Sequence, residues 1–196
     1  MSHYSYESGV FLSRLQPPTN AHLECIQYLL EECQQGILFI GSSNTESTPR
    51  NPFSCQLRQQ MTTEAIEDNF EKTSQQRLRV VPLPDLTYAN NPNNGPEWGQ
   101  YLYQKVNELG IKNFAFFGGE LKSLWEWFGH PEVQPHVSTE RFRPSEKIAG
   151  LSATKVRQAL QFEDRQYVQQ NCPHSAYSRF DQLREIYLRV LADAEK

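Results

Sequence analysis

In Gly9-Val10-Phe11-Leu12-Ser13-Arg14-Leu15-Gln16-Pro17-Pro18-Thr19-Asn20-Ala21-His22 an apolar run of strand length passes into a loop stiffened by two prolines and then into a helix start. The prolines fix the backbone and remove two N–H donors, so a strand has to end before them. Asn20 is a capping residue type, and Leu23, Ile26, Leu30 and Cys33 recur at offsets of three and four. That spacing predicts a helix from about Asn20 to Gln34 with Gly36 beyond its end. Ile37 to Ile40 reads as a buried strand, closed by the turn chemistry of Gly41-Ser42-Ser43-Asn44. The alternation continues with a helix from Ser54 to about Asn69 carrying Leu57, Met61, Ala65 and Ile66 on one face, then a strand at Leu78 to Val81. A helix from Glu97 to Leu109, a strand from Asn113 to Phe117, a Gly118-Gly119 turn, a helix through Trp125 and a weaker strand at Val133 to Val137 complete the pattern. Alternating elements of this kind imply an α/β fold, a parallel sheet flanked by helices on both faces. From Ser152 onward strand signals stop, and helices are predicted at about Ser152 to Leu160, Asp164 to Gln170 and Ser178 to Ala194. Composition does not choose between packing of this tail on the sheet and an oligomer contact.

A chain of 196 residues, 38% hydrophobic and rich in aromatics, has the length of one domain with a sizeable core. A formal net charge of -4 disfavours broad attraction to nucleic acid or to an anionic membrane, so any phosphate recognition has to be local. The longest apolar runs, Gly36 to Gly41 and Phe114 to Gly119, fall far short of the roughly 18 residues of a membrane span, and Met1 to Ser8 lacks the layout of a signal peptide. Cytoplasmic residence is expected by default. Cys25, Cys33, Cys55 and Cys172 have neither CxxC spacing nor a histidine partner at zinc-finger distance, and are read as thiols without a metal role.

In open α/β sheets ligands bind beyond the carboxyl ends of strands, where helix N-termini offer unpaired N–H groups. Arg14, Thr19 and His22 stand at such a place, each able to donate a hydrogen bond to phosphate oxygen. A lone helical histidine is ordinarily a satisfied core residue; beside Arg14 and Thr19 it reads as a phosphate ligand. The segment from Pro82 to Pro96, with four prolines and four asparagines, is too long for a simple connector, and Trp98 follows it. With Ser152 as a helix cap, Lys155 and Arg157 would oppose the helix dipole, a conflict that a bound anion resolves.

SRLQPPTNAH resembles the GRFQPxHxGH motif of archaeal-type nicotinamide mononucleotide adenylyltransferases, and PPTNAHL resembles the PxTNxHL form of their eukaryotic relatives. Gly41-Ser42-Ser43 through Asn51-Pro52-Phe53-Ser54-Cys55-Gln56-Leu57-Arg58 is similar to that family's GSxxxS…NPFTxxER. Pro82-Leu83-Pro84-Asp85 with Trp98 downstream, Phe117-Gly118-Gly119-Glu120 and Leu151-Ser152-Ala153-Thr154-Lys155-Val156-Arg157 follow in the family's order. Thr19 replaces the first histidine, Ala21 and Ser13 replace glycines, and Glu120 stands where aspartate is commoner. The resemblance spans most of residues 9–160, with residues 161–196 a helical C-terminal extension of the same single domain.

The resemblance implies a Rossmann-like nucleotidyltransferase fold and transfer of AMP from ATP to nicotinamide mononucleotide, giving NAD and pyrophosphate. It implies catalytic roles for His22, Thr19 and Arg14, and ATP contacts from Ser13, Gly118, Glu120, Ser152, Thr154 and Arg157. Asn51, Arg58, Asp85 and Trp98 would bind nicotinamide mononucleotide, with Arg58 facing substrate phosphate and Trp98 stacking on the nicotinamide ring. Magnesium would be held mainly by substrate phosphates, with no metal ligands of the chain's own. A homo-oligomer is the family's habit. Two other readings are another adenylyl- or cytidylyltransferase of the superfamily and a nucleotide-binding regulator with little turnover, the latter favoured by the Ala21 and Ser13 departures.

Overall fold

The computed structural model describes residues 4–86, 95–118 and 126–196. Strand β1 (Tyr6–Ser13) feeds helix α1 (Asn20–Glu32), and β2 (Cys33–Ile40) follows without a connector. The helix is therefore shorter and the strand longer than the apolar pattern predicts. Gly36 is not a helix stop: it pairs with Gly9 of β1 and with Leu78 of the strand that follows β2. A Cβ on Gly36 would lie 2.4 Å from a methyl of Leu29, so α1 packs on the sheet only because no side chain intervenes.

Helix α2 (Cys55–Asn69) begins at Ser54, whose hydroxyl accepts from the Leu57 N–H at 3.2 Å. A short helix α3 (Lys72–Gln76), absent from the sequence reading, leads to β3 (Leu78–Pro82). Helix α4 (Gly95–Glu108) and strand β4 (Phe114–Gly118) lie within two residues of expectation, and the helix expected through Trp125 falls outside the described residues. The final strand is displaced. Val133 to His136 is a turn with a single 3₁₀ helix, and β5 is Val137–Arg141. With the sequence VSTER it is an edge strand, exposed along one side, and an apolar run was the wrong signal for it.

The sheet order is β3-β2-β1-β4-β5, parallel throughout. Connections run outward in one direction from β1 and in the other from β4, so the topological switch point lies between those two strands. Strand residues alternate between two apolar layers. Val10, Ile37, Phe39, Phe114 and Phe116 pack with Trp98, Leu102 and Val106 of α4, while Leu38, Ile40, Ala115 and Phe117 pack with Cys25, Ile26, Leu29 and Leu30 of α1. Each fully buried aliphatic or aromatic side chain in these layers contributes about 1.5–3 kcal/mol.

The tail forms helices α5 (Ala153–Gln161), α6 (Arg165–Asn171), α7 (His174–Tyr177) and α8 (Phe180–Ala194). They pack neither as a free arm nor chiefly on the sheet, but on α2 and the loop before it, burying Phe53, Met61, Val156, Leu160, Phe180 and Leu183 together. Ser175 donates to the Met61 carbonyl at 2.7 Å, and Arg179 pairs with Glu64 through two contacts of 2.7 Å. Among the described residues no helix is long and apolar enough to cross a membrane.

Candidate active site

At the carboxyl end of β1 the chain makes a non-glycine left-handed turn at Leu15 (φ 52°), and at the end of β2 another at Ser42 (φ 50°). Such conformations cost on the order of 1–3 kcal/mol each and persist only where the surroundings hold them. Arg58 is the holder. Its side chain is wholly buried, donating to the carbonyls of Arg14 at 2.7 Å, Gly41 at 2.8 Å, Ser42 at 3.0 Å and Phe53 at 3.1 Å. The resemblance has Arg58 face substrate phosphate; in the structure its guanidinium serves the loop carbonyls that shape the site. The signal was available, since Arg58 shares one helical face with Met61, Thr62, Ala65 and Ile66, all buried.

Gln16 performs the matching task between loops. Its side-chain amide donates to Phe53 O at 3.1 Å and accepts from Phe53 N–H at 3.0 Å, joining the loop after β1 to the Asn51-Pro52-Phe53 turn. Arg14 donates to the Asn51 side-chain oxygen at 3.4 Å.

Thr19 caps α1, and His22 sits at its third position, where a capping box ordinarily has Glu or Gln. Its Nδ1 accepts from the Thr19 backbone N–H at 2.9 Å and lies 2.9 Å from the Thr19 hydroxyl. A backbone N–H only donates, so the neutral ring carries its proton on Nε2. Burial pushes the His22 pKa down to about 4, which keeps the ring neutral. His22 thus presents one fixed N–H donor at the switch point.

Arg14, Arg50 and Arg157 are close enough to repel one another, and Arg157 reaches the loop before α1 through Gln16. The pKa of Arg14 is lowered by burial first and then by Arg50 and Arg157, with only Asp85 acting the other way among its stronger neighbours apart from the added repulsion of Arg58. Arg157, 6% exposed, is lowered by burial and by Arg50, and is supported by Tyr187. It donates to Gln16 O at 2.8 Å and to the Thr154 hydroxyl at 3.2 Å, and Ser152 caps α5 by accepting from Lys155 N–H at 3.3 Å. Both hydroxyls use acceptor capacity here, which leaves their protons available to an anion. Lys155 itself turns back to donate to Gly150 O at 2.7 Å. Arg50 escaped the sequence reading because an arginine in an exposed polar loop carries no periodic signal; its position just before Asn51-Pro52-Phe53 was the only cue.

Ser13, His22 and Phe11 line one side of a cavity of about 610 Å³, and Phe142, Arg143 and Leu151 line the other. Gly118, at the end of β4, holds this far wall by accepting from Phe142 N–H at 3.0 Å. A slightly larger cavity, of about 680 Å³, lies between Asn20, Asn69 and Gln170 and does not touch His22. Asp85 is fixed through its backbone, which donates to and accepts from the Asn44 amide at 2.8 and 3.2 Å. Glu120 lies outside the described residues. Trp98, which the resemblance has stack on the nicotinamide ring, is 3% exposed and packed against Tyr101 and Trp127 within the core. Its stripe with Leu102 and Val106, spaced by four, is the pattern of a buried helix face.

A helix start, a neutral histidine donor and neighbouring arginines at the switch point of a parallel sheet describe a site for phosphate esters. Residues 10–159 match the model of the cytidylyltransferase-like family. The chain belongs to this family. Among curated cytidylyltransferase-like relatives, the nicotinamide-nucleotide adenylyltransferases of Thermococcus sibiricus and Thermococcus kodakarensis are 32% and 30% identical over 153 residues, 78% of this chain and 72% and 71% of theirs. A bifunctional NMN adenylyltransferase/ADP ribose pyrophosphatase from Francisella tularensis, crystallised with AMP and a manganese ion, superposes with a TM-score of 0.72 at 20% identity over 97% of this chain. This chain spans about half of that longer protein, 53% of its length.

Proposed function

We propose that this chain is a nicotinamide mononucleotide adenylyltransferase, its nucleotidyltransferase core in residues 9–160 and a helical extension in 161–196. The observation that carries the reading is the gathering of Arg14, Arg50 and Arg157 around the loop that leads into the Thr19–His22 helix start, Arg157 reaching Gln16 O and Arg14 reaching Asn51, in a chain whose curated relatives bear that name. An oxygen of the 5′-phosphate of nicotinamide mononucleotide attacks the α-phosphorus of ATP. The bond from that phosphorus to the bridging oxygen breaks, and pyrophosphate leaves with the electron pair. No side chain forms a covalent bond, so catalysis consists of positioning and charge stabilisation.

His22 donates its Nε2 proton as a hydrogen bond to an α-phosphoryl oxygen, whose charge grows in the transition state. Thr19 orients that ring, and Arg14 bridges the two substrates' phosphates. Arg157, Ser152 and Thr154 hold the β and γ phosphates with Arg50 above them. Ser13 and Gly118 shape the nucleotide cavity, while Asn51 and Asp85 border the acceptor. The donors facing this site are guanidinium, imidazole and hydroxyl groups, which do not make a cation site, and among the described residues no three acidic, histidine or cysteine side chains are grouped to hold an ion. Magnesium would arrive on the substrate phosphates, and no step here is routed through it. The proposed setting is the cytoplasm.

The test is NAD formation from ATP, magnesium and nicotinamide mononucleotide, read with a coupled dehydrogenase. Turnover with CTP or another phosphate acceptor, and none with this pair, would overturn the assignment in favour of a different cytidylyltransferase-like activity.

A further inference from the structure

The far wall of the His22 cavity is a stretch with little regular structure, from Phe142 to Leu151, interrupted only by the 3₁₀ turn Glu146–Ile148. Most of its side chains are exposed; Ile148 is buried, and the two ends are packed, Phe142 against Tyr28 and the α1 layer and Leu151 against the C-terminal helices. Three polar tethers fix the exposed stretch between them. Phe142 N–H donates to the Gly118 carbonyl at the end of β4, and Lys155 donates to the Gly150 carbonyl from α5. Between them, Glu24 of α1 takes Ser145 with both carboxylate oxygens, accepting from its hydroxyl at 2.8 Å and from its backbone N–H at 3.1 Å. Glu24 therefore acts as the N-terminal cap that the 3₁₀ turn lacks locally, Ser145 forming no cap bond of its own.

From this we infer that Glu24 is a positioning residue for the adenylate donor: through Ser145 it fixes the wall carrying Phe142, Arg143 and Leu151 at a set distance from His22, two residues away on the same helix. The inference rests on the proposed adenylyltransferase reading for the identity of that donor. Because α1 carries both His22 and Glu24, a single rigid element sets the two sides of the cavity. Without the clamp the wall has to be ordered when the nucleotide arrives, and that entropy is subtracted from binding. The clamp is solvent-exposed, so its loss leaves the fold nearly unaffected while the nucleotide site loosens.

The test compares wild type, Glu24→Ala, Glu24→Gln, Ser145→Ala and the double variant, by ATP titration calorimetry and by steady-state kinetics. Glu24→Ala is expected to weaken ATP binding and raise its KM about three- to tenfold, with a much smaller change in kcat, in the KM for nicotinamide mononucleotide and in Tm. Glu24→Gln, which keeps one acceptor oxygen, should recover part of the loss. Ser145→Ala added to Glu24→Ala should cost nothing more. Unchanged ATP affinity in Glu24→Ala, or equal loss for both substrates with a fallen Tm, would overturn the inference. If the wild type makes no NAD, the proposed function fails, and the ATP titrations still decide the role of Glu24.

Discussion

His22 shows how one local contact sets both the charge and the aim of a side chain. The N–H of Thr19 holds Nδ1 as an acceptor, and burial keeps the ring neutral, so the group is a hydrogen-bond donor and not a buried cation. His22→Ala should lower kcat by about two to three orders of magnitude with little change in ATP affinity, as for loss of one oxyanion donor; kcat near wild type would remove the residue from the mechanism. Stability carries the same signature. The folded pKa of about 4 lies below the ordinary 6.5, so between those values the unfolded chain binds the extra proton and stability falls as pH falls. The full effect is about 3 kcal/mol, and His22→Asn should flatten that part of a denaturation profile measured from pH 7 to 4. Trp98 belongs at this scale too. As a core residue, its replacement by alanine should cost about 3–5 kcal/mol in denaturant unfolding, whereas a change confined to the KM for nicotinamide mononucleotide would restore the stacking role.

Elements were legible where an apolar period was intact. The β1–α1–β2–α2–β3 succession follows from residues such as Ile26, Leu38 and Met61, whose spacing declares a buried face. β5 was misplaced because its residues are polar, and an edge strand that takes its bonds from β4 requires no apolar run. The loops gave up less: Gln16 and Asn44 work on backbone groups brought close only by the fold, and while the helical face of Arg58 marks it as buried, no spacing announces the carbonyls it holds. Arg58→Lys should lose several of those bonds, since an ammonium lacks the planar fork that reaches four carbonyls at once. A loss of about 3 kcal/mol or more, accompanied by reduced activity, is the expected result of urea unfolding and assay. Gly99 fixes another contact, between α4 and the helical residues 126–128. A Cβ there would lie 1.6 Å from the Trp127 carbonyl oxygen, so Gly99→Ala has to push the two apart and should lower Tm by several degrees.

Across the whole molecule, the sheet supplies the switch point and the C-terminal helices supply one wall. Arg157 reaches Gln16 from α5, and α5 is itself held by α8, so the tail belongs to the phosphate site as much as to the core. Arg14, Arg50 and Arg157 repel one another, and under the proposed function that repulsion is what readies the trio for an anion. Salt should then act on the same three groups with opposite signs. Raising NaCl from 0.05 to 0.5 M, roughly a Debye length of 14 Å down to 4 Å, should weaken ATP binding while it raises the melting temperature of the empty protein. Added pyrophosphate should reverse the second effect, since once the trio is neutralised there is no repulsion left for salt to relieve.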